Sequence, residues 1–172
     1  ECMNVYILMY DECALYEVIL ACYFLKTKYN ITTVGIDRNE VKVFEGINVK
    51  CDKGINDIKI FKDDIVIIPG GDINLIKNKL LLKKVLFEAN KVEAMFGAIC
   101  AGVDILKESG LIDSNDVKRY SVDSVKLGDR FIFAKPNEYV DFAIGLGTIA
   151  NIYRDKDDFN ETVSFFKYFN RC

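Results

Sequence analysis

Short apolar runs alternate along this chain with longer segments whose apolar residues recur at helical spacing. Residues 3–9 (MNVYILM) form a β-rich run suited to a buried parallel strand. Leu15, Val18, Ile19, Ala21, Cys22 and Leu25 then fall on one helical face, and Asn30 closes that segment. Residues 32–37 read as a second strand, and residues 41–44 and 47–51 as a hairpin about Glu45-Gly46. Residues 64–68 (DIVII) are a continuous strand that stops at Pro69-Gly70-Gly71. A helix is expected over 79–92, a strand over 94–99 and a helix over 101–108 that ends at Gly110. A strand at 130–134 and helices at 139–153 and 159–169 complete the pattern, and no repeat or linker interrupts it. Strands alternating with helices predict an α/β domain with a largely parallel sheet and helices on both faces. In such sheets, sites lie beyond the carboxyl ends of the strands, here Pro69-Gly70-Gly71 and Cys100.

Composition narrows the class. With 172 residues, 51% of them hydrophobic, the chain fits one domain, expected to span 3–172, with a core that needs no staples. Glu1-Cys2 ahead of Met3 reads as an appended remnant, with the natural start at Met3. The formal charge is −3, and Lys77, Lys79, Lys83 and Lys84 read as the wet face of a helix, so nucleic acid is not an expected partner. Every apolar run is short and interrupted, which speaks against a membrane span, and no signal peptide is visible. Six cysteines, at 2, 13, 22, 51, 100 and 172, form no CxxC pair and no compact disulfide framework, so reduced cytoplasmic thiols are expected. Histidine is absent, which removes Cys–His dyads, Ser–His–Asp triads and histidine metal sites; no metal and no cofactor are expected.

Chemistry concentrates in residues 96–106 (FGAICAGVDIL). There a strand runs straight into a helix, with Ala98 and Gly102 two positions either side of Cys100. Small residues at those places mark a nucleophile elbow, a strained turn that exposes its central side chain. Free N–H groups and the helix dipole at such a turn favour a thiolate and hold a developing oxyanion. By itself the pattern leaves Cys100 either a reactive thiol or a small buried hydrophobe. Paired glycines at 70 and 71 bring backbone N–H groups close to a ligand or simply make a turn. Glu17 shares its helical side with Ala21 and Leu25, and a carboxyl on such a face needs a partner or a proton, unless it is partly exposed. Cys22 lies on an apolar helical face, the place of an inert thiol, whereas Cys13 is left open, since the first strand's end could bring it near the site.

Three stretches together, DECALYEVIL from Asp11, DIVIIPGG from Asp64 and GAICAGVDILKESGL from Gly97, resemble the DJ-one/ThiJ/PfpI superfamily in order and spacing. The resemblance covers residues 3–150 and implies a flavodoxin-like three-layer sandwich, usually dimeric. It also implies Cys100 as nucleophile, Glu17 as its acidic partner, and the N–H groups of Gly70, Gly71 and Ala101 as an oxyanion pocket. Many members carry a histidine after the strand that follows the elbow helix. The matching stretch here is 117–122, where Tyr120 or Ser121 takes its place. The Gly-rich segment before the late helix is replaced by residues 135–139 (KPNEY), with Asn137 and Glu138; Glu138 either charges the pocket or starts the helix. The frequent proline after the acidic residue of the first helix is also missing. Cys13, Tyr120, Asn137 and Glu138 are the further pocket candidates. The function implied is a cysteine-dependent enzyme acting on a small electrophile, in the manner of a glyoxalase, deglycase or isocyanide hydratase. The alternatives are a non-catalytic oxidative-stress sensor or chaperone working through Cys100 oxidation, and a ligand-binding domain; without histidine a peptidase is disfavoured. The partners expected are a small-molecule substrate and a second copy of the chain. Residues 163–169 are expected to pack on the core, with an interface role as the alternative.

Overall fold

The computed structural model describes residues 3–122 and 125–171, apart from the side chains of residues 120–122 and 125. In chain order its strands are β1 (Asn4–Met9), β2 (Asn30–Gly35), β3 (Glu40–Lys42), β4 (Asn48–Lys50), β5 (Lys53–Gly54), β6 (Ile65–Ile68), β7 (Met95–Ile99), β8 (Val125–Leu127) and β9 (Phe131–Ala134). Seven of them form one sheet in the order β5-β2-β1-β6-β7-β9-β8, in which only the β8–β9 pair is antiparallel. The strands β3 and β4 pair as the separate hairpin expected from the sequence. All four residues of β6 are fully buried, which is why the central strands read as unbroken apolar runs rather than alternating ones. At the foot of the sheet the buried Asp64 carboxylate accepts from the N–H groups of Asn4 and Phe61, both at 2.8 Å, tying the starts of β1 and β6 together.

The helices are α1 (Tyr16–Leu25), α2 (Leu80–Lys91), α3 (Gly102–Glu108), α4 (Ser114–Val122), α5 (Tyr139–Ile149) and α6 (Lys156–Tyr168). α1 packs on α5, and α5 packs on β7, β9 and α6, forming one outer layer. The strand order runs one way from β1 to β2 and the other way from β6 to β7 and β9, so the right-handed rule for parallel crossovers puts α2 and α3 on the other face; α3 packs on β6 and β7. The result is a flavodoxin-like α/β sandwich. Among the described residues no helix is long and apolar enough to cross a membrane.

Several details differ from the sequence-based expectation. β2 runs Asn30–Gly35 rather than 32–37, because it pairs with all six residues of β1, from Asn4↔Asn30 to Met9↔Gly35. α5 stops at Ile149, not 153. Asn151 turns left-handed (φ 52°) and the Ile152 N–H closes onto the Gly147 carbonyl, so the Tyr153 hydroxyl folds back to Ile144 O. Residues 117–122 do not follow a strand: they belong to α4. Asp113 Oδ1 accepts from the N–H groups of Asn115 and Asp116, and Asp116 returns a bond to Asp113 N, a reciprocal cap that starts a helix. Residues 163–169 pack less closely than expected. Phe166 meets Phe24 edge-on at 4.9 Å, while Phe165, Tyr168 and Phe169 stay exposed.

Candidate active site

The turn between β7 and α3 explains its own composition. Cys100 adopts a left-handed backbone (φ 56°), rare for any residue with a Cβ. Its N–H continues the sheet to Ala134 O (2.9 Å), and its carbonyl receives the Val103 N–H (3.2 Å), the first turn toward α3. At Gly102 a Cβ would overlap the Ile68 carbonyl oxygen, so α3 starts directly against the end of β6 only because that position carries no side chain.

Gly70 brings the chemistry to one place. A Cβ built on it would stand 2.6 Å from Cys100 Cβ, 2.8 Å from Glu17 Oε1 and 3.0 Å from Cys100 Sγ. The thiol and the carboxyl thus border the same glycine, and a side chain there would collide with both. The Pro69-Gly70-Gly71 loop is held from two sides. The Tyr10 hydroxyl donates to Pro69 O at 2.8 Å, and a short antiparallel bridge joins Gly71 to Cys13, with Ala14 N donating to Gly70 O at 2.8 Å. Gly71 itself has φ 129°, a conformation that side chains rarely adopt.

The sequence pattern of the DJ-1/PfpI family matches residues 3–136. The chain belongs to the DJ-1/PfpI family. A curated relative, the glutathione-independent glyoxalase DJR-1.2 of Caenorhabditis elegans, is 28% identical over 125 residues, 64% of this chain and 67% of that protein. Among solved structures, Drosophila melanogaster DJ-1beta superposes with a TM-score of 0.74 at 21% identity, covering 95% of this chain and 97% of the fly protein. A thiJ/pfpI family protein from Bacillus anthracis superposes with a TM-score of 0.81 at 14% identity, over 98% of this chain and 92% of that one. At these identities the structures establish the shared fold.

Within this family frame the electrostatics of the site follow from burial. Glu17 sits in the first turn of α1, only 2% exposed, beside Val18 and Ala21. Burial, reinforced by the charge of Glu45, pushes its carboxyl up to about 7. Its Oε2 is the only buried side-chain oxygen or nitrogen among the described residues that lacks a hydrogen-bond partner. Burial also pushes the Cys100 thiol up, and the charges of Glu17 and Asp104 add to this, while the Ala101 N–H pulls the other way. Desolvation beside a second acid thus outweighs the one N–H that favours the thiolate. An ionised Glu17 thus disfavours the Cys100 thiolate.

Of the remaining candidates, Cys13 is fully buried in the bridge to Gly71, and burial raises its thiol to about 11. Glu138 ends a 3-10 turn (Pro136–Glu138), where its Oε2 accepts from Lys135 N at 3.5 Å and the chain enters α5; Asn137 is exposed. Tyr120 and Ser121 belong to α4 by backbone, and their side chains lie outside the described residues. Among the described residues no cluster of three or more His, Cys, Asp or Glu is placed to hold a metal. Sequence reasoning missed Tyr10 and Glu45. Tyr10 directly follows the apolar run of β1 and reads as one more core residue. Glu45 reaches α1 from the hairpin tip, accepting from Tyr16 N (2.7 Å) and Leu15 N (3.2 Å). The available signal for it was indirect: Leu15 is a poor helix cap, so the amino end of α1 needs an acceptor from elsewhere.

Proposed function

We propose that this protein is a cysteine-dependent enzyme that converts a small 2-oxoaldehyde, of which methylglyoxal is the simplest methyl-bearing example, to the corresponding 2-hydroxy acid. The observation that carries this reading is the packing of Cys100 Sγ and Glu17 Oε1 over Gly70, in a sequence with no histidine. The name of the nematode relative supports it. In the proposed route Glu17 takes the thiol proton and Cys100 sulfur bonds to the aldehyde carbon. The oxyanion formed there accepts from the N–H groups of Gly70, Gly71 and Ala101 and is then protonated, giving a hemithioacetal. Glu17 next moves the proton on that carbon to the neighbouring carbon as the ketone becomes a hydroxyl, leaving a thioester. Water cleaves the thioester, restores the thiol and releases the acid, so that methylglyoxal and water become lactate. A carboxyl titrating near 7 suits both taking and returning a proton at neutral pH.

A second copy of the chain is the proposed macromolecular partner. An apolar groove of about 620 Å³ runs between α1 and the hairpin tip, walled by Tyr16, Ile19, Tyr23, Ile47 and Tyr139. All five side chains are substantially exposed in the single chain. The four described cysteines are free, which suits a reducing compartment such as the cytoplasm.

The unpartnered Glu17 Oε2 favours one other reading, an oxidative sensor. In it, two equivalents of peroxide convert the Cys100 thiol to a sulfinate that a protonated Glu17 holds by a hydrogen bond. Methylglyoxal turnover by the wild type that is lost in Cys100→Ser supports the enzyme. Absence of turnover together with selective sulfinate formation at Cys100 supports the sensor.

A further inference from the structure

The Glu45 contact joins two parts of the fold that the chain itself keeps apart. Glu45 lies at the tip of the β3–β4 hairpin, and its two carboxylate oxygens accept from Leu15 N and Tyr16 N, at 3.2 and 2.7 Å. α1 has no side-chain cap of its own, so these bonds are what occupies its first free donors. The next residue along is Glu17. The hairpin is fastened to the same loop at further points: Phe44 N donates to Cys13 O, and Glu12 N to Lys42 O, both at about the length of a good hydrogen bond.

We propose that Glu45 is a positioning residue for the Glu17–Cys100 pair: from the hairpin tip it fixes the first turn of α1 and sets a carboxylate against the backbone next to Glu17. This deepens the enzymatic reading above and rests on it for its catalytic meaning, although the contact and its electrostatic effect are measurable without turnover.

The groups around Glu17 leave little else to act in this way. Cys100 faces it from the elbow, Tyr10 from the end of β1 and Tyr16 from α1 itself; these are neutral near pH 7, and burial raises all three. Tyr139 of α5 acts on Tyr16, Asp104 of α3 on Cys100, and Asp72 and Cys13 on Tyr10. Among the described residues no Lys or Arg forms an ion pair with Glu17 or Glu45. Glu45 is therefore the charged side chain that bears on Glu17, and it does so from a position exposed in the single chain, where salt can screen it.

The test is the pH titration of the Glu17 carboxyl by carbon-13 NMR, its signal assigned by its loss in Glu17→Gln. Glu45→Gln keeps an acceptor for Tyr16 N and removes the charge. The expected result is a midpoint lowered by about half a unit or more, a threefold change in the ratio of protonated to ionised Glu17. A purely structural cap would leave the midpoint in place. A second measurement needs no mutation: in the wild type, molar salt is expected to lower the midpoint in the same direction, and to do so much less in Glu45→Gln. Midpoints that respond neither to the substitution nor to salt, in folded protein, overturn the proposal. Methylglyoxal turnover is scored separately, so failure of the enzymatic reading and failure of the Glu45 proposal give different results.

Discussion

Replacing Glu17 by glutamine gives a sharp test of the buried-acid argument. The carboxyl titrates near 7 in the folded chain against an ordinary value of 4.5, because burial, and then Glu45, disfavour its charge. Between those two values the folded protein holds a proton that the unfolded chain has released. Stability therefore falls as pH rises through this window, and the loss is complete above pH 7. A shift of that size corresponds to roughly 3 kcal/mol as a ceiling, and about 2 kcal/mol once water reaching the site is allowed for. Glutamine has the shape of the protonated acid and cannot ionise. Urea unfolding of both proteins at pH 4.5, 6, 7 and 8 is the assay, and the difference between them cancels the other titrating groups. The Cys100 thiol does not titrate in this range, since it is pushed above its ordinary value of 9.0. The two proteins are expected to match most closely at the lowest pH, and Glu17→Gln to gain about 2 kcal/mol on the wild type by pH 8. A difference that stays flat across the window would mean that Glu17 ionises like a surface acid and that the buried-acid account is wrong.

Other expectations follow from backbone geometry. At Cys100, glycine is expected to be better tolerated than alanine by about 1 kcal/mol in thermal or urea unfolding, since only glycine adopts φ 56° without strain. Alanine proving the more stable would mean that the elbow carries no such strain. Gly102→Ala, a change that ordinarily favours a helix, is expected to destabilise by 2 kcal/mol or more, roughly, because its methyl would overlap the Ile68 carbonyl. Unchanged stability would show that α3 and the end of β6 part easily.

Much of this architecture was legible because it is local. β1, β6 and β7 announce themselves as apolar runs, and AICAG combines a strand end with the small residues that a left-handed cysteine and a close helix start require. Glu17 stood out as an acid on an apolar helical face, and the structure buries it. What was not legible depends on distant partners. The two residues of β5 become a strand only by pairing with Val34 and Gly35, and β8 only by lying against β9. α4 carries few apolar residues, and its start is set by the reciprocal Asp113–Asp116 cap, a signal present in the sequence but outweighed by weak periodicity. The raised thiol of Cys100 could not be read from the elbow alone, because it depends on how deeply the fold buries Cys100 beside Glu17. Nor could Glu45, whose contact spans 29 residues to Tyr16.

Cys100, beside Glu17, is the nucleophile we propose for 2-oxoaldehyde conversion. The most direct test of this role is lactate formation from methylglyoxal by the wild type and by Cys100→Ser, each shown to be folded. Turnover is expected in the wild type and none above background in the variant. Equal turnover in both, or none in either, would contradict it.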